Sequence, residues 1–149
     1  MVKLCLVLCL FYCSSYSQDH RIDLAIIAMI ESSNNPLAHN KYDGGSRGLY
    51  QINPICLKDY NIQMSTKHTL DDLFNPDLNK RIAKWMFEVR IPQYLNRLGL
   101  PLSLDNKIIA YNAGILYLSK KKTIPKTTLD YISKYKKLKQ PKDLSKVSL

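Results

Sequence analysis

The chain has 149 residues, of which 46% are hydrophobic and 23% charged, a composition typical of one folded domain and unlike that of a disordered or low-complexity protein. Its 22 Lys and Arg residues exceed its 12 Asp and Glu residues, so the formal net charge is +10 at pH 7. Such a surplus favours a polyanionic partner: nucleic acid, an acidic membrane face or an anionic cell-wall polymer.

The first 17 residues have the order of a secretory signal peptide. Lys3 supplies a positive start, residues 4–13 form an unbroken apolar run, and Ser15 and Ser17 are the small residues of a cleavage site. The run is about half the ~20 residues that a membrane-spanning helix needs. We therefore expect residues 1–17 to be removed and the mature chain to act in the periplasm or the extracellular cell wall, without a nucleic-acid partner. A retained buried helix and an uncleaved anchor are the alternatives.

Three of the four cysteines lie in this leader, so the mature chain would keep only Cys56 and could form no intramolecular disulfide. Cys56 stands between Ile55 and Leu57, which favours a small buried hydrophobe over a nucleophile. The histidines do not have the spacing of a metal site: His20, His39 and His68. We expect neither a metal nor a cofactor.

Helical periodicity dominates the sequence after the leader, and strand-like alternation is nearly absent. The first predicted helix ends at Ser33, and its apolar positions recur at helical spacing: Ile22, Ile26, Met29 and Ile30. A Gly-rich loop follows over residues 39–48, and Pro54 opens a short second helix that ends at Tyr60.

Capping residues mark two longer helices in the second half of the chain. Asn75 caps the longer one, which carries Trp85 as a core residue and ends near Pro92. Ser103 caps the next, and Gly114 closes it.

Thr127 or Thr128 caps the last predicted helix, whose apolar positions are Leu129, Ile132, Tyr135 and Leu138. The fold class is thus predominantly α-helical, with one core over residues 18–140 and a basic tail over residues 141–149. Residues 119–149 contain ten Lys and two Asp, which leave +8 of the total +10. This cluster predicts attachment to an anionic wall polymer or membrane surface, and its alternative is a solvated helix face or tail.

Glu31 is the candidate for chemistry. It follows Ile30 directly and Ile27 by four positions, so its carboxyl borders an apolar flank that disfavours the charged form and raises the pKa. A carboxylic acid that stays protonated near neutral pH is what cleavage of a glycosidic bond needs as general acid. Alone, one Glu near a helix end is usually a solvated surface residue, but the segments that follow change this interpretation.

Glu31-Ser32, residues 48–52 (GLYQI) and residues 110–114 (AYNAG) follow one another with helix-rich spacers. They resemble the ES, GLMQ and AYNAG blocks of the transglycosylase SLT family, the lysozyme-like lytic transglycosylases, with Tyr50 in place of the usual Met. Residues 75–79 (NPDLN) resemble the NPxxN helix start of that family.

The resemblance spans residues 23–137 and implies a lysozyme-like fold, peptidoglycan as substrate, and Glu31 as the sole catalytic acid and base. It also implies that the glycan groove is formed by the block residues and by the Tyr of the closing helix, which would hydrogen-bond the catalytic carboxyl: Ser32, Gly48, Leu49, Tyr50, Gln51, Tyr111, Asn112 and Tyr131. Structural roles remain as alternatives, because Ser32 and Asn112 also suit helix ends and Gly48 suits a left-handed turn.

Three functions remain open for a chain of this pattern, which we expect to be a monomer. The resemblance implies a transglycosylase that needs one carboxyl and yields a 1,6-anhydromuramyl end. A lysozyme-type muramidase needs a second carboxylate; goose-type lysozymes carry an Asp just after the GLMQ block, where this chain has Asn53, so Asp43 is the candidate base. Asp43 before two glycines also suits a turn. The third function is a non-catalytic cell-wall adaptor.

Overall fold

The computed structural model describes residues 21–140, and the predicted leader and the tail over residues 141–149 lie outside them. The helices in this part of the chain are α1 Leu24–Ser32, α2 Pro54–Met64, α3 Pro76–Trp85, α4 Ile91–Arg97, α5 Leu104–Asn112, α6 Ile115–Ser119 and α7 Lys126–Lys139. Two short strands pair antiparallel between α1 and α2: β1 His39–Asn40 and β2 Ser46–Arg47. The predicted, predominantly helical fold class is confirmed.

Side-chain caps fix the helix starts that the sequence predicts. Asn75 accepts hydrogen bonds from the N–H groups of Asp77 and Leu78, and Ser103 accepts one from Asn106. These oxygens satisfy backbone donors that no helical carbonyl can reach. The same device, not predicted, begins α1 at Asp23 and α2 at Asn53, with Pro54 in the first turn. Local chemistry therefore determines where these helices begin.

Helix ends depart from the predictions in two places. Helix α2 continues to Met64 rather than ending at Tyr60, and it ends where Ser65 adopts a left-handed conformation and donates its N–H to the Asn61 carbonyl. The chain also does not leave the helix near Pro92. A π-helical turn over Met86–Arg90 precedes the proline and leads directly into α4. Such a wide turn shifts the hydrogen-bond register, and Pro92 then sits in the first turn of α4, where its missing N–H is tolerated.

The last helix differs from its prediction in its cap and in its buried face. It begins at Lys126 after Pro125, without a side-chain cap, because Thr128 is fully buried and hydrogen-bonds another helix. The buried face consists of Thr128, Tyr131, Ile132 and Tyr135, whereas the predicted core residues Leu129 and Leu138 are about half exposed. Met29 of α1 is likewise exposed, and the fully buried residue of that helix is Ile27.

Tertiary packing brings the first and last helices together. Helix α7 packs against both α1 and α5, and α5 also packs against α4 and the π-helical turn. The Tyr135 hydroxyl accepts a hydrogen bond of 2.7 Å from the backbone N–H of Asp23, which joins α7 to the N-cap of α1. This arrangement places the C-terminal end of α1, and Glu31 with it, between α5 and α7.

Trp85 lies in the core as predicted. Cys56 is partly buried, and its burial raises the pKa of its thiol to about 12.

None of the helices in residues 21–140 has both the length and the hydrophobicity required to cross a bilayer.

Candidate active site

Glu31 occupies the last turn of α1 and is partly buried. The pKa of its carboxyl is raised from 4.5 to about 7. Burial is the largest cause, a hydrogen bond from Tyr131 opposes it, and the negative charge of Asp43 adds to the rise. The Tyr131 hydroxyl of α7 donates this bond to Oε1 over 2.9 Å. Both sequence predictions on this carboxyl, the raised pKa and the contact with Tyr131, are present.

Ser32 connects α1 to the GLYQ segment. Its hydroxyl donates hydrogen bonds to the carbonyl of Ala28 at 3.2 Å and to the carbonyl of Leu49 at 2.9 Å. The next residue, Ser33, is left-handed and caps the helix. Ser32 therefore fixes the distance between the helix end that carries Glu31 and the loop that faces it.

Asn79 is fully buried and binds the backbone of the GLYQ loop through its side-chain amide. Its Oδ1 accepts the backbone N–H of Tyr50 at 2.8 Å, and its Nδ2 donates to the carbonyls of Arg47 at 2.8 Å and Leu73 at 2.9 Å. Gly48 passes directly over this amide with φ +80°, and a Cβ atom there would lie 2.3 Å from Asn79 Nδ2. Only glycine fits so close to the amide in this left-handed conformation.

Tyr111 supports the same loop from α5. Its hydroxyl donates to the Tyr50 carbonyl at 2.5 Å, and its ring stacks on Phe87 with the ring centres 4.4 Å apart. Phe87 belongs to the π-helical turn, which also places Met86 at the groove. Tyr50 itself is 4% exposed, so the aromatic side chain that replaces the family's Met is a core residue.

The side-chain amides of Gln51 and Asn112 face the groove, and each already uses one of its two polar atoms in hydrogen bonds within the protein. Gln51 donates through Nε2 to the carbonyls of Gly48 at 2.9 Å and Ala38 at 3.2 Å. Asn112 accepts through Oδ1 from the Thr128 hydroxyl at 2.7 Å. The Gln51 oxygen is thus the acceptor, and the Asn112 amide nitrogen the donor, that remain for a ligand.

These groups surround a cavity of about 130 Å³ whose lining is Glu31, Asp43, Ser46, Gln51, Ile52, Asn53, Cys56, Met86, Tyr111 and Asn112. A second cavity of about 300 Å³ shares Asn53, Cys56, Met86, Tyr111 and Asn112 with it, so the groove continues past Glu31 along α2 and α5. A larger cavity of about 650 Å³ lies across α2 and contains no acid among its lining residues. We assign the chemistry to the smaller groove because it contains Glu31, whose carboxyl has a raised pKa.

Four of the predicted site residues line this groove: Glu31, Gln51, Tyr111 and Asn112. The other five stand behind it or form its supports: Ser32, Gly48, Leu49, Tyr50 and Tyr131. Sequence reasoning missed Ser46 and Met86 as lining residues and did not assign a role to Asn79. The position of Asn79 in the NPDLN segment is the signal that could have identified it.

Asp43 is the second carboxylate at the groove. Its partial burial alone would raise its pKa, but hydrogen bonds from Ser46 and from the Gly45 backbone outweigh burial and lower the pKa below its ordinary value. Its Oδ1 accepts the N–H groups of Gly45 at 3.3 Å and Ser46 at 3.0 Å. Asp43 is thus the predicted turn former, and it is also an ionised group close enough to raise the pKa of Glu31. Residues 21–140 contain no cluster of His, Cys, Asp and Glu arranged to hold a metal ion.

The comparisons with known proteins agree with this geometry. The family model described as the transglycosylase SLT domain matches residues 13–139, a range that begins within the predicted leader. No curated protein and no solved structure matches the chain significantly. The match covers most of the chain and includes every block that surrounds Glu31. The chain therefore belongs to the transglycosylase SLT family, the lysozyme-like lytic transglycosylases that act on peptidoglycan.

Proposed function

We propose that the protein cleaves the β-1,4 bond between N-acetylmuramic acid and N-acetylglucosamine without water and leaves 1,6-anhydromuramyl ends. The observation that carries this proposal is the Glu31 carboxyl, with its pKa raised to about 7, in a groove that also contains neutral hydrogen-bonding side chains. A group with this pKa can donate a proton near neutral pH and, once ionised, can accept one. One residue then serves both steps.

In the first step Glu31 gives its proton to the glycosidic oxygen, and the bond from that oxygen to C1 of the muramyl residue breaks. The carbonyl oxygen of the substrate's own N-acetyl group stabilises the cationic C1. Ionised Glu31 then takes the proton of the muramyl 6-hydroxyl while O6 forms the new bond to C1. The carboxyl returns to its acid form and no water is consumed. Tyr131 holds Oε1 during both steps, which leaves Oε2 as the oxygen that carries the proton.

The neutral groups of the groove suit an N-acetylated glycan. In the cavity lined by Glu31, the Asn112 amide nitrogen offers one donor and the Gln51 oxygen one acceptor, which match the carbonyl and the N–H of an acetamido group. Met86, which is partly exposed, adds apolar surface for the sugar ring. Both amides are held by hydrogen bonds within the protein, so they need little ordering when a ligand binds.

Hydrolysis by a muramidase mechanism is the second candidate, and the observation that favours it is Asp43. Its carboxylate lines the same cavity as Glu31, is close enough to raise the pKa of Glu31, and stays ionised. That is the environment expected of a general base that activates water. Its two backbone hydrogen bonds weigh against this role, since they are the bonds of a turn-forming Asp.

Mass analysis of the products released from purified peptidoglycan distinguishes the two reactions. The proposal requires anhydromuropeptides as the main product. Reducing-end muropeptides, heavier by one water, would show that the enzyme is a hydrolase. Glu31→Gln is the control, because its amide has nearly the same shape and cannot transfer the proton, so neither product should form.

We also infer that the mature chain acts outside the cytoplasm, in the periplasm or the extracellular wall. The support is the order of Lys3, the apolar run over residues 4–13 and the small residues up to Ser17. N-terminal sequencing of protein recovered outside the cytoplasm tests this inference. A chain that begins near Gln18 is expected, and soluble cytoplasmic protein with intact Met1 would contradict it.

Helix α7 supports a second contact, with an anionic wall polymer or an acidic membrane face. Lys134 and Lys137 are exposed and have no ion-pair partner within residues 21–140, whereas Lys136 is paired with Asp105. Lys134→Glu with Lys137→Glu should weaken binding to walls at low salt and have little effect at 1 M salt, where the Debye length is about 3 Å. Wall binding that is unchanged by the substitutions and by the salt concentration would contradict this contact.

A further inference from the structure

The cavity of about 650 Å³ lies on the opposite side of α2 from the catalytic groove. Cys56 and Asn53 of α2 line the groove, whereas Leu57, Lys58 and Asn61 line this cavity. The two sites therefore share one helix as a wall but have no lining residue in common. The mechanism proposed for Glu31 uses nothing in the larger cavity.

The outer wall of this cavity is a loop that is held in place. Asn61 donates through Nδ2 to the carbonyl of His68 at 2.8 Å, and its Oδ1 accepts the Thr66 hydroxyl at 2.8 Å and the His68 N–H at 3.0 Å. The His68 ring stacks on Tyr60 of the core, with the ring centres 6.3 Å apart. The Asn61 amide thus uses three of its four hydrogen-bonding positions to hold this loop. Because the loop is fixed in this way, the cavity is preformed.

The chemistry of the lining is apolar at the floor and cationic at the rim. Its apolar residues are Pro54, Leu57, Ile62 and Leu70, and Ile62 is 63% exposed. Lys58 and Lys67 stand at the edge, both exposed and without an ion-pair partner in the described part of the chain.

The acids on the neighbouring elements do not neutralise this rim. Asp59 forms a two-bond pair with Arg90 at 2.6 and 2.7 Å and so carries no unpaired charge. Asp72 accepts the Thr69 N–H at 2.7 Å and keeps its charge near His68, which leaves the two lysines of the rim in excess over this one acid. The rim is thus complementary to a ligand that carries carboxylates on a small apolar body.

We propose that this cavity binds the short acidic peptide that branches from the glycan strand of peptidoglycan. The inference rests on the proposed function, since that substrate brings alanine methyl groups and free carboxylates to the enzyme together with the sugar. The methyl groups would pack on Leu57 and Ile62, and the carboxylates would meet Lys58 and Lys67. Because α2 separates the cavity from Glu31, the bound peptide belongs to a muramyl residue of the strand other than the one being cleaved.

The test compares two substrates: glycan strands with their peptides and the same strands from which the peptides have been removed. Lys58→Glu with Lys67→Glu should lower kcat/KM on the peptide-bearing strands about three- to tenfold, as expected for two exposed ion pairs turned repulsive. Cleavage of the bare strands should stay unchanged. Ile62→Asn, which removes an apolar lining residue without changing charge, should reduce only the cleavage of peptide-bearing strands.

Lys80→Glu with Arg81→Glu is the matched control, because both residues are exposed and the net charge changes by the same amount. An equal loss in this control would assign the effect to net charge and overturn the proposal, as would an equal loss on both substrates or no loss at all. Activity on the bare strands reports on the proposed function separately, since it depends on Glu31 and not on the cavity. Failure of all variants, and of the parent, to cleave bare strands would therefore contradict the function rather than the peptide site.

Discussion

The Tyr131 hydroxyl donates a hydrogen bond of 2.9 Å to Oε1 of Glu31, across 100 positions of sequence. This bond lowers the pKa of Glu31, whereas burial and Asp43 raise it, so the value of about 7 is a balance between groups from three parts of the chain. Removing the Tyr131 hydroxyl should therefore raise the pKa of Glu31, and removing the Asp43 charge should lower it.

Tyr131→Phe should raise the pKa of Glu31 above about 7, because it removes the group that favours the ionised form. A hydrogen bond to a charged group contributes about 1.5–3 kcal/mol, so the alkaline limb of the pH profile should move up by about one pH unit or more. The measurement is kcat/KM against pH. Tyr60→Phe, on a buried tyrosine away from Glu31, should leave the profile where it is. An alkaline limb that stays in place in Tyr131→Phe would contradict the role of this bond.

Glu31→Gln should abolish cleavage and change the pH dependence of folding stability. General acid–base catalysis supplies about 10²–10⁴ in rate, and here one residue would serve two steps. Since folding raises the pKa of Glu31 from 4.5 to about 7, the folded state binds the proton more tightly and wild-type stability falls as the pH rises between these values. The loss is about 3 kcal/mol when complete. Denaturant unfolding should therefore show the variant more stable than wild type at pH 8, with the difference shrinking towards pH 4. A difference that is the same at both pH values would be inconsistent with a buried, protonated Glu31.

Asp43→Asn separates the two reactions proposed for this site. Asn can accept the same N–H groups of Gly45 and Ser46, so the turn should persist. A transglycosylase should keep most of its kcat, and its alkaline limb should move to lower pH because a charge that raises the pKa of Glu31 is gone. A muramidase that uses Asp43 as base should lose about 10²–10⁴ in rate. Initial rates over a range of pH give both readouts from one variant.

Gly48→Ala should destabilise the protein far more than Gly44→Ala. Both glycines have positive φ, +80° and +90°, so both substitutions carry a backbone cost of about 1 kcal/mol. A Cβ on Gly44 would meet nothing within 4 Å, whereas one on Gly48 would lie 2.3 Å from both Asn79 Nδ2 and the Leu73 carbonyl oxygen. Overpacking adds typically 1–3 kcal/mol. Chemical denaturation of the two variants tests this difference, and equal losses would show that the Gly48–Asn79 contact can relax.

Local chemistry explains which parts of the fold the sequence predicted. Asn75 and Ser103 cap their helices because a capping oxygen needs only its own next turn. Thr128 was predicted by the same rule and does not cap, since its hydroxyl bonds to Asn112, a partner that only the tertiary structure supplies. The continuation through Pro92 depends on a π-helical turn for which the apolar spacing gives no signal.

The candidate site likewise has features that the sequence predicts and features that depend on tertiary packing. The apolar neighbours of Glu31 in sequence predict the direction of its pKa shift, and the motifs identify Gln51, Tyr111 and Asn112 at the groove. The support from Asn79 could not be predicted from composition or periodicity, because it depends on three backbone groups brought together from separate loops. The burial of Tyr50 could not be predicted either, because it depends on the residues that pack against its loop in the tertiary structure.

The raised pKa of Glu31 also means that the unfolded chain is catalytically latent. Without α5 and α7 against α1, the carboxyl keeps its ordinary pKa of 4.5, is ionised at neutral pH, and has no proton to give. Under the proposed mechanism a nascent or partly folded chain should not cleave glycan, because the raised pKa that the acid step needs arises only on tertiary assembly. Cleavage during refolding should therefore appear only when α7 docks, and its onset should coincide with the burial of Tyr131.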